Sequence, residues 1–224
     1  MFTILCNHTP DYQQLVDKTW FNNKVPYCQR HGYNFELRLV ENSPLNVNTL
    51  HRYQMSKVLF INDVLNRSPE DAWVWWTGAD LMITNFTIKL ESIIDTNYHF
   101  IIATDFNGMN ADSFLVRNSE KGRRYFKMIV DTLPMYTYWE GEQGIMKETY
   151  SIFKDDVVKI VPQKTINSYN YADYRVAYAH REPLQDELGN IGDWSPGDFV
   201  IQWPATSLQH RLHSFDYYSQ FIVR

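Results

Sequence analysis

Trp73-Val74-Trp75-Trp76-Thr77-Gly78-Ala79-Asp80-Leu81-Met82-Ile83-Thr84-Asn85 is the most informative segment of this chain. The aromatic, apolar run predicts a strand over 71–76 that stops at once in Thr77-Gly78-Ala79-Asp80. One carboxylate is thereby delivered to the strand's carboxyl end, with a second apolar stretch directly after it. On the N-terminal side, 2–6 read as a buried first strand opening into Asn7-His8-Thr9-Pro10. Asp11 then caps a helix to about Cys28, with Leu15, Val16, Trp20 and Val25 as its apolar side. His31-Gly32 breaks that helix, 35–40 form a second strand, and a polar loop over 41–48 leads to a helix over 49–66. Tyr53, Val58, Phe60, Ile61 and Leu65 are its expected buried face. On the C-terminal side the pattern predicts a helix over 87–94, strands over 99–103 and 114–117, and a helix over 120–132 entered through Asn118-Ser119. A helix over 142–150 and a strand over 157–161 follow, then an irregular Tyr- and Asp-rich stretch over 167–197. A last strand covers 199–203.

Strands alternating with helices imply an α/β protein with a mostly parallel, Rossmann-like central sheet and helices on both faces, here as one domain over 1–224. In such sheets ligands bind beyond the carboxyl ends of the strands. Four segments therefore matter: 7–12, 77–80, 105–112 and the residues after Trp203.

Composition narrows the function classes. With 224 residues and 44% hydrophobic content there is enough apolar material for a sizeable core. The net charge is −5 and no Lys/Arg block exists, which argues against nucleic acid as a partner. Aromatic residues reach 16%, enough to serve either as carbohydrate stacking platforms or as ordinary half-buried Tyr. Two cysteines, Cys6 and Cys28, make neither a zinc site nor a disulfide framework, and predict free thiols in a reducing compartment. The N-terminus has no charged n-region and no apolar run approaches the roughly 18 residues of a membrane span. A cytoplasmic protein without a transmembrane segment is expected.

Taken alone, Asp80 either caps the next turn or holds a divalent cation bridging a diphosphate, since hard oxygen donors suit Mg²⁺ or Mn²⁺. Glu142 has a similar ambiguity: a carboxylate in the first helical turn is favourable by itself. Asp105 and Asp112 are further carboxylates in the same mouth, able to bind hydroxyls or to cap loops. Trp194, with Tyr169, Tyr171, Tyr174 and Tyr178, forms either an aromatic acceptor lip or a packed excursion.

The order of several short motifs adds to this. Tyr27-Cys28-Gln29-Arg30-His31-Gly32-Tyr33, Lys57, Gly78-Ala79-Asp80 with Asn85, and 105–118 from Asp105 to Asn118 follow one another. Glu142-Gln143, Pro162-Gln163, Ile166-Asn167-Ser168-Tyr169 and Pro196-Gly197-Asp198-Phe199-Val200 come next. This succession, over about residues 3–212, resembles glycosyltransferase family 34, a galactosyl-, mannosyl- and xylosyltransferase group with a GT-A fold. The resemblance implies retaining transfer of a hexose or pentose from a nucleotide sugar, usually a UDP-sugar, to a saccharide acceptor. It places Thr9 and Tyr12 in the loop against uracil and ribose, and Lys57 near the nucleotide. Gly78 and Asp80 fall on the Asp-x-Asp motif, and Asn110 and Ala111 beneath the donor sugar. Glu142 and Gln143 fall at the reacting centre. Apart from the resemblance, Asp105 is added to them from its place in the same mouth, and Asp112 and Trp194 are expected on the acceptor side. Residues from about 165 to the C-terminus would then supply the acceptor-side loop and the segment covering the donor.

The sequence departs from the family at the metal. Gly78 replaces the first carboxylate of Asp-x-Asp, Gln202 replaces a metal-binding His, and Asp112 replaces the Gly of Asn-Ala-Gly. With two of the three expected ligands absent, Asp80 alone is left to hold Mn²⁺ or Mg²⁺. Arg211, helped by His210, is the expected partial substitute at the diphosphate. The competing expectation is a degenerate GT-A fold that binds a nucleotide or glycan without catalysis.

Overall fold

The computed structural model describes residues 1–40, 52–172 and 184–224. The polar loop over 41–48, the first turn of the helix expected from 49, and Tyr174 and Tyr178 lie outside the described residues.

The central sheet contains β1 (Phe2–His8), β2 (Asn34–Leu39), β3 (Trp73–Thr77), β5 (Phe100–Asp105), β6 (Gly108–Arg117) and β7 (Val158–Val161), in the order β2-β1-β3-β6-β5-β7. The pairs β1–β2, β1–β3 and β5–β7 are parallel; β6 runs antiparallel to both of its neighbours. The sheet is mostly parallel, as the alternation predicts. A separate two-stranded sheet pairs β4 (Leu81–Ile83) antiparallel with β8 (Val200–Gln202), so the last expected strand lies outside the main sheet.

Helices cover both faces. On one, α3 (Arg52–Arg67), α4 (Glu120–Thr132) and α5 (Glu142–Phe153) bury Val58, Ile61, Phe126 and Ile145 against Phe100, Phe114 and Trp76. On the other, a helical stretch runs from α1 (Gln13–Val16) through a π-helical segment (Asp17–Lys24) to α2 (Val25–His31). It packs Trp20 and Tyr27 against Trp75, Leu81 and Phe199. Gly32 closes this stretch in the left-handed conformation at φ 69°, a conformation that only a residue without a Cβ adopts freely. Ser119 caps α4 by accepting the Gly122 N–H at 3.1 Å, which fixes where that helix starts.

Three expectations need correction. The helix over 87–94 is only a 3₁₀ turn, Leu90–Ser92, because Asn85 accepts hydrogen bonds from the Thr87 N–H and hydroxyl and competes with helical pairing. The strand over 114–117 starts at Gly108, so 105–112 form a hairpin rather than a loop. Tyr53 is 60% exposed rather than buried, since it faces the mouth of the cleft described next.

Candidate active site

A cleft of about 400 Å³ opens beyond the carboxyl ends of β1 and β3, where the β6 strand and the start of α5 meet them. Its lining includes Asn7, Lys57, Trp76, Gly78 and Asp80 on the sheet side, and Ala111, Asp112, Glu142, Gln143 and Arg211 around them. Tyr53, Gln54, Trp139 and Glu140 complete its rim.

The floor is held from below by the π-helical segment, where the wide turn puts Thr19, Trp20, Asn23 and Lys24 on the buried side together. Thr19 donates to the Ala79 carbonyl at 2.6 Å, and the Asn23 amide exchanges hydrogen bonds with both backbone groups of Ile83. The Lys24 ammonium, wholly buried, donates to the carbonyls of Gly78 at 3.1 Å and Leu81 at 2.6 Å. Burial draws the Lys24 pKa down, opposed by Cys6 and Asp80 nearby. Sequence reasoning missed these three residues. Their signal was Asn23 and Lys24 at the i+3 and i+4 positions of Trp20, on the stripe that buries it; Thr19, directly before Trp20, carried no such signal.

Asp80 receives the Arg211 guanidinium on Oδ2 at 3.1 Å and the Gln202 amide nitrogen on Oδ1 at 3.1 Å. Burial pushes its carboxyl pKa up; Arg211 opposes that, while Asp112 adds to it. Arg211 is fully engaged, since it also donates to the Trp203 carbonyl at 3.1 Å and the Tyr12 hydroxyl at 3.0 Å. Its charge is therefore spent on Asp80 as much as it is offered to a ligand. Gln202 Nε2 also reaches Asp112 Oδ2 at 3.2 Å, so one amide nitrogen lies between two carboxylates. Its Oε1 is buried with no hydrogen-bond partner.

The side of the cleft facing Asp80 and Arg211 is completed by α5. Glu142, 2% exposed, forms an ion pair with Lys57 through Oε1, while its Oε2 has no hydrogen-bond partner. Lys57 also donates to the Ala111 carbonyl at 2.9 Å and stands 3.8 Å from Asp112. Burial works to lower the lysine's pKa, but Glu142 and Asp112 outweigh it and hold the group protonated. Gln143 Oε1 accepts the Ala111 N–H at 3.2 Å, tying α5 to β6.

Other expected site residues stand behind this lining. Asp105 is buried and accepts from the Tyr169 hydroxyl at 2.7 Å and from Asn110 at 3.2 Å. Burial raises its pKa against those hydrogen bonds. Asn110 in turn accepts the Asp112 N–H at 2.9 Å, so this group shapes the backbone under Ala111 and Asp112. Thr9, Tyr12 and His210 are outside the lining, although Tyr12 touches it through Arg211. Trp194 donates to Thr84 Oγ1 at 3.1 Å and packs on Tyr218 and Phe221, away from the cleft. The exposed aromatic edge is instead Trp139, which its place between Tyr138 and Glu140, just before Gly141-Glu142, did not signal.

Among the described residues no group of three His, Cys, Asp or Glu side chains could hold a metal. The oxygens of Asp80 and Asp112 and the unpartnered Gln202 Oε1 are nevertheless hard donors of the kind a divalent cation takes, so the residues present fit one.

This sheet order, with the cleft at the strand ends, is that of the GT-A glycosyltransferases. A solved glycosyltransferase involved in glycosylating the major capsid protein of PBCV-1 superimposes with a TM-score of 0.73 at 17% identity, covering 96% of this chain and 98% of that one. The galactosyltransferase LgtC, solved with donor and acceptor sugar analogues, gives 0.60 at 13% identity over 98% and 95%. The sequence profile of the galactosyl transferase GMA12/MNN10 family matches residues 3–97 and 94–205, and the chain belongs to that family. An uncharacterized alpha-1,2-galactosyltransferase of Schizosaccharomyces pombe is 31% identical over 86% of this chain and 59% of its own length. Galactomannan galactosyltransferase 1 of Cyamopsis tetragonoloba is 26% identical over 84% and 43%. The chain thus spans about half the length of the curated relatives it matches.

Proposed function

We propose that this protein transfers a hexosyl group, galactose first among the candidates, from a UDP-sugar to a saccharide hydroxyl with retention of configuration. The observation that carries the proposal is the pairing of two sites in one cleft: the Asp80–Arg211–Gln202 cluster on the floor and the Lys57–Glu142 ion pair 57 and 142 residues into the chain. Family membership supplies the sugar chemistry, and galactosyltransferase is the activity named for the relatives.

Departure of a nucleoside diphosphate places growing negative charge beside Arg211 and Lys57, two cations already held in place by their carboxylates. A divalent cation held at Asp80 would supply further stabilisation of the same charge. The anomeric carbon becomes positive as the bond breaks, and Glu142 is the buried carboxylate in the lining that would stabilise it. Gln143, anchored on the Ala111 N–H, fixes the sugar's seat. At the mouth, Trp139 and Tyr53 are 74% and 60% exposed, flat apolar surfaces against which an acceptor sugar ring stacks.

A thermal-shift panel of nucleotides and nucleotide sugars, with and without Mn²⁺, tests the assignment. Stabilisation by UDP and UDP-galactose above that by other nucleotides is expected. An absence of response to every nucleotide would remove the donor site and leave a glycan-binding module.

A further inference from the structure

We propose that the carboxylate missing at Gly78 has moved to Asp112, and that Asp80, Asp112 and a rotated Gln202 amide form an all-oxygen site for Mn²⁺.

The two residues meet because β3 and β6 are antiparallel, with Thr77 opposite Ser113, so Gly78 and Asp112 follow on from paired positions. The Gly78 N–H donates to the Asp112 carbonyl at 2.8 Å. A Cβ on Gly78 would stand 3.6 Å from the Asp112 Cβ, 3.4 Å from Gln202 Nε2 and 2.9 Å from Asp80 Oδ1. A side chain at 78 would thus enter the space that Asp112 now serves. One carboxylate beside Asp80 has been exchanged for another across a strand pair.

Gln202 shows where the positive charge belongs. Its Nε2 lies 3.1 Å from Asp80 Oδ1 and 3.2 Å from Asp112 Oδ2, while its Oε1 is buried and unpartnered. A half-turn of the amide exchanges the two atoms and puts an oxygen at that point, which two carboxylates would repel unless a cation joined all three. Two neighbouring oxygens of an octahedron are separated by √2 times the metal–oxygen distance. The separations of 3.1 and 3.2 Å are of the size of such an edge around a cation of the Mg²⁺ or Mn²⁺ class, so the three groups are close enough to share one.

Charge supports the same conclusion. In and beside the lining, Lys24, Lys57, Arg211 and Lys147 face Asp80, Asp112, Glu140 and Glu142, so the charges cancel. A cleft without net charge does not attract a diphosphate; a divalent cation would give it two net positive charges. This step rests on the nucleotide-sugar assignment, whereas the ligand set does not.

The test is a Mn²⁺ titration of the whole protein read by the electron paramagnetic resonance of free Mn²⁺, repeated with UDP. One bound Mn²⁺ is expected, with affinity falling at least about 10-fold in Asp112→Asn as one ligand charge is lost. In Asp112→Gly binding is lost, and adding Gly78→Asp to that variant restores it to within a few-fold of the parent. Circular dichroism reports whether each variant is folded, and the restored double variant guards against a merely structural loss. Unchanged Mn²⁺ affinity in Asp112→Asn, or no bound Mn²⁺ in the parent protein with or without UDP, overturns the proposal. UDP binding that needs no Mn²⁺ would overturn the cation site and leave the donor assignment standing. Asp112-dependent Mn²⁺ binding without any UDP binding would do the reverse.

Discussion

The floor and the rim of the cleft are built on opposite principles. On the floor, the carbonyls of Gly78, Ala79 and Leu81 are each bound by a buried side chain from the π-helical segment, and Asp80 is held by Arg211 and Gln202. On the rim, Tyr53 and Trp139 stand largely in solvent. On the proposed function the diphosphate is common to all UDP-sugar donors, so its seat benefits from being fixed before binding. An acceptor saccharide would be met by flat, exposed surfaces. The contrast teaches which substitutions should disturb chemistry, which the fold, and which only recognition.

The largest effect should come from the carboxylate proposed for the reacting centre. Glu142→Gln keeps the shape and an acceptor for Lys57, yet removes the charge proposed to meet the anomeric carbon. Turnover of UDP-galactose is expected to fall roughly 10²- to 10³-fold in initial-rate assays, with donor KM changed far less. A fall in affinity with unchanged kcat would move Glu142 from the reacting centre to the floor.

Lys24→Met breaks the floor without touching the cleft lining. It removes the Lys24 donor from the Leu81 carbonyl and leaves the Gly78 carbonyl with only the longer bond from the Leu81 N–H at 3.3 Å, at about 1–3 kcal/mol in all, partly offset by no longer burying a charge. Urea unfolding should show the loss of stability, and UDP affinity should weaken with it. Trp139→Ala makes the opposite prediction. Its melting temperature should match that of the parent because the ring is 74% exposed. Acceptor KM should rise about 2- to 10-fold, the equivalent of ~0.5–1.5 kcal/mol of stacking. If Trp139→Ala lowers stability and leaves acceptor KM alone, the rim is structural.

The smallest effect lies beneath the floor. Burial pushes the Cys6 thiol up to about 11, against Lys24, and the Cys28 thiol up to about 12. Native protein at pH 8 should therefore not react with a thiol-specific disulfide reagent, while the unfolded chain should react at both. The folded state holds these protons more tightly than the unfolded chain does. Stability should accordingly decline as pH rises above the ordinary thiol value of 9.0.

Most of the frame was legible in the sequence because its elements are locally consistent. The β3 strand, α4 with its Ser119 cap and the start of α5 at Glu142 needed only periodicity and capping. The mostly parallel sheet and the position of Asp80 at its edge followed from alternation. The N-terminal half of β6, Gly108-Met109-Asn110-Ala111-Asp112-Ser113, was illegible: its polar residues read as a loop, and their partners include distant ones, Tyr169 for Asn110 and Trp75 for Ser113. The same limit hid the exchange between Gly78 and Asp112, which exists only through strand register. Trp194 misled for a related reason, since nothing local distinguishes an aromatic that packs beneath the C-terminal helix (Leu208–Tyr218) from one that lines a cleft.

The central claim is tested most directly by following UDP-galactose, an oligosaccharide acceptor and the protein together by proton NMR from the first turnovers. The account predicts loss of the donor's anomeric signal, release of UDP and a new anomeric proton in the α configuration. A donor left intact, or a product that first appears in the β configuration, would contradict it.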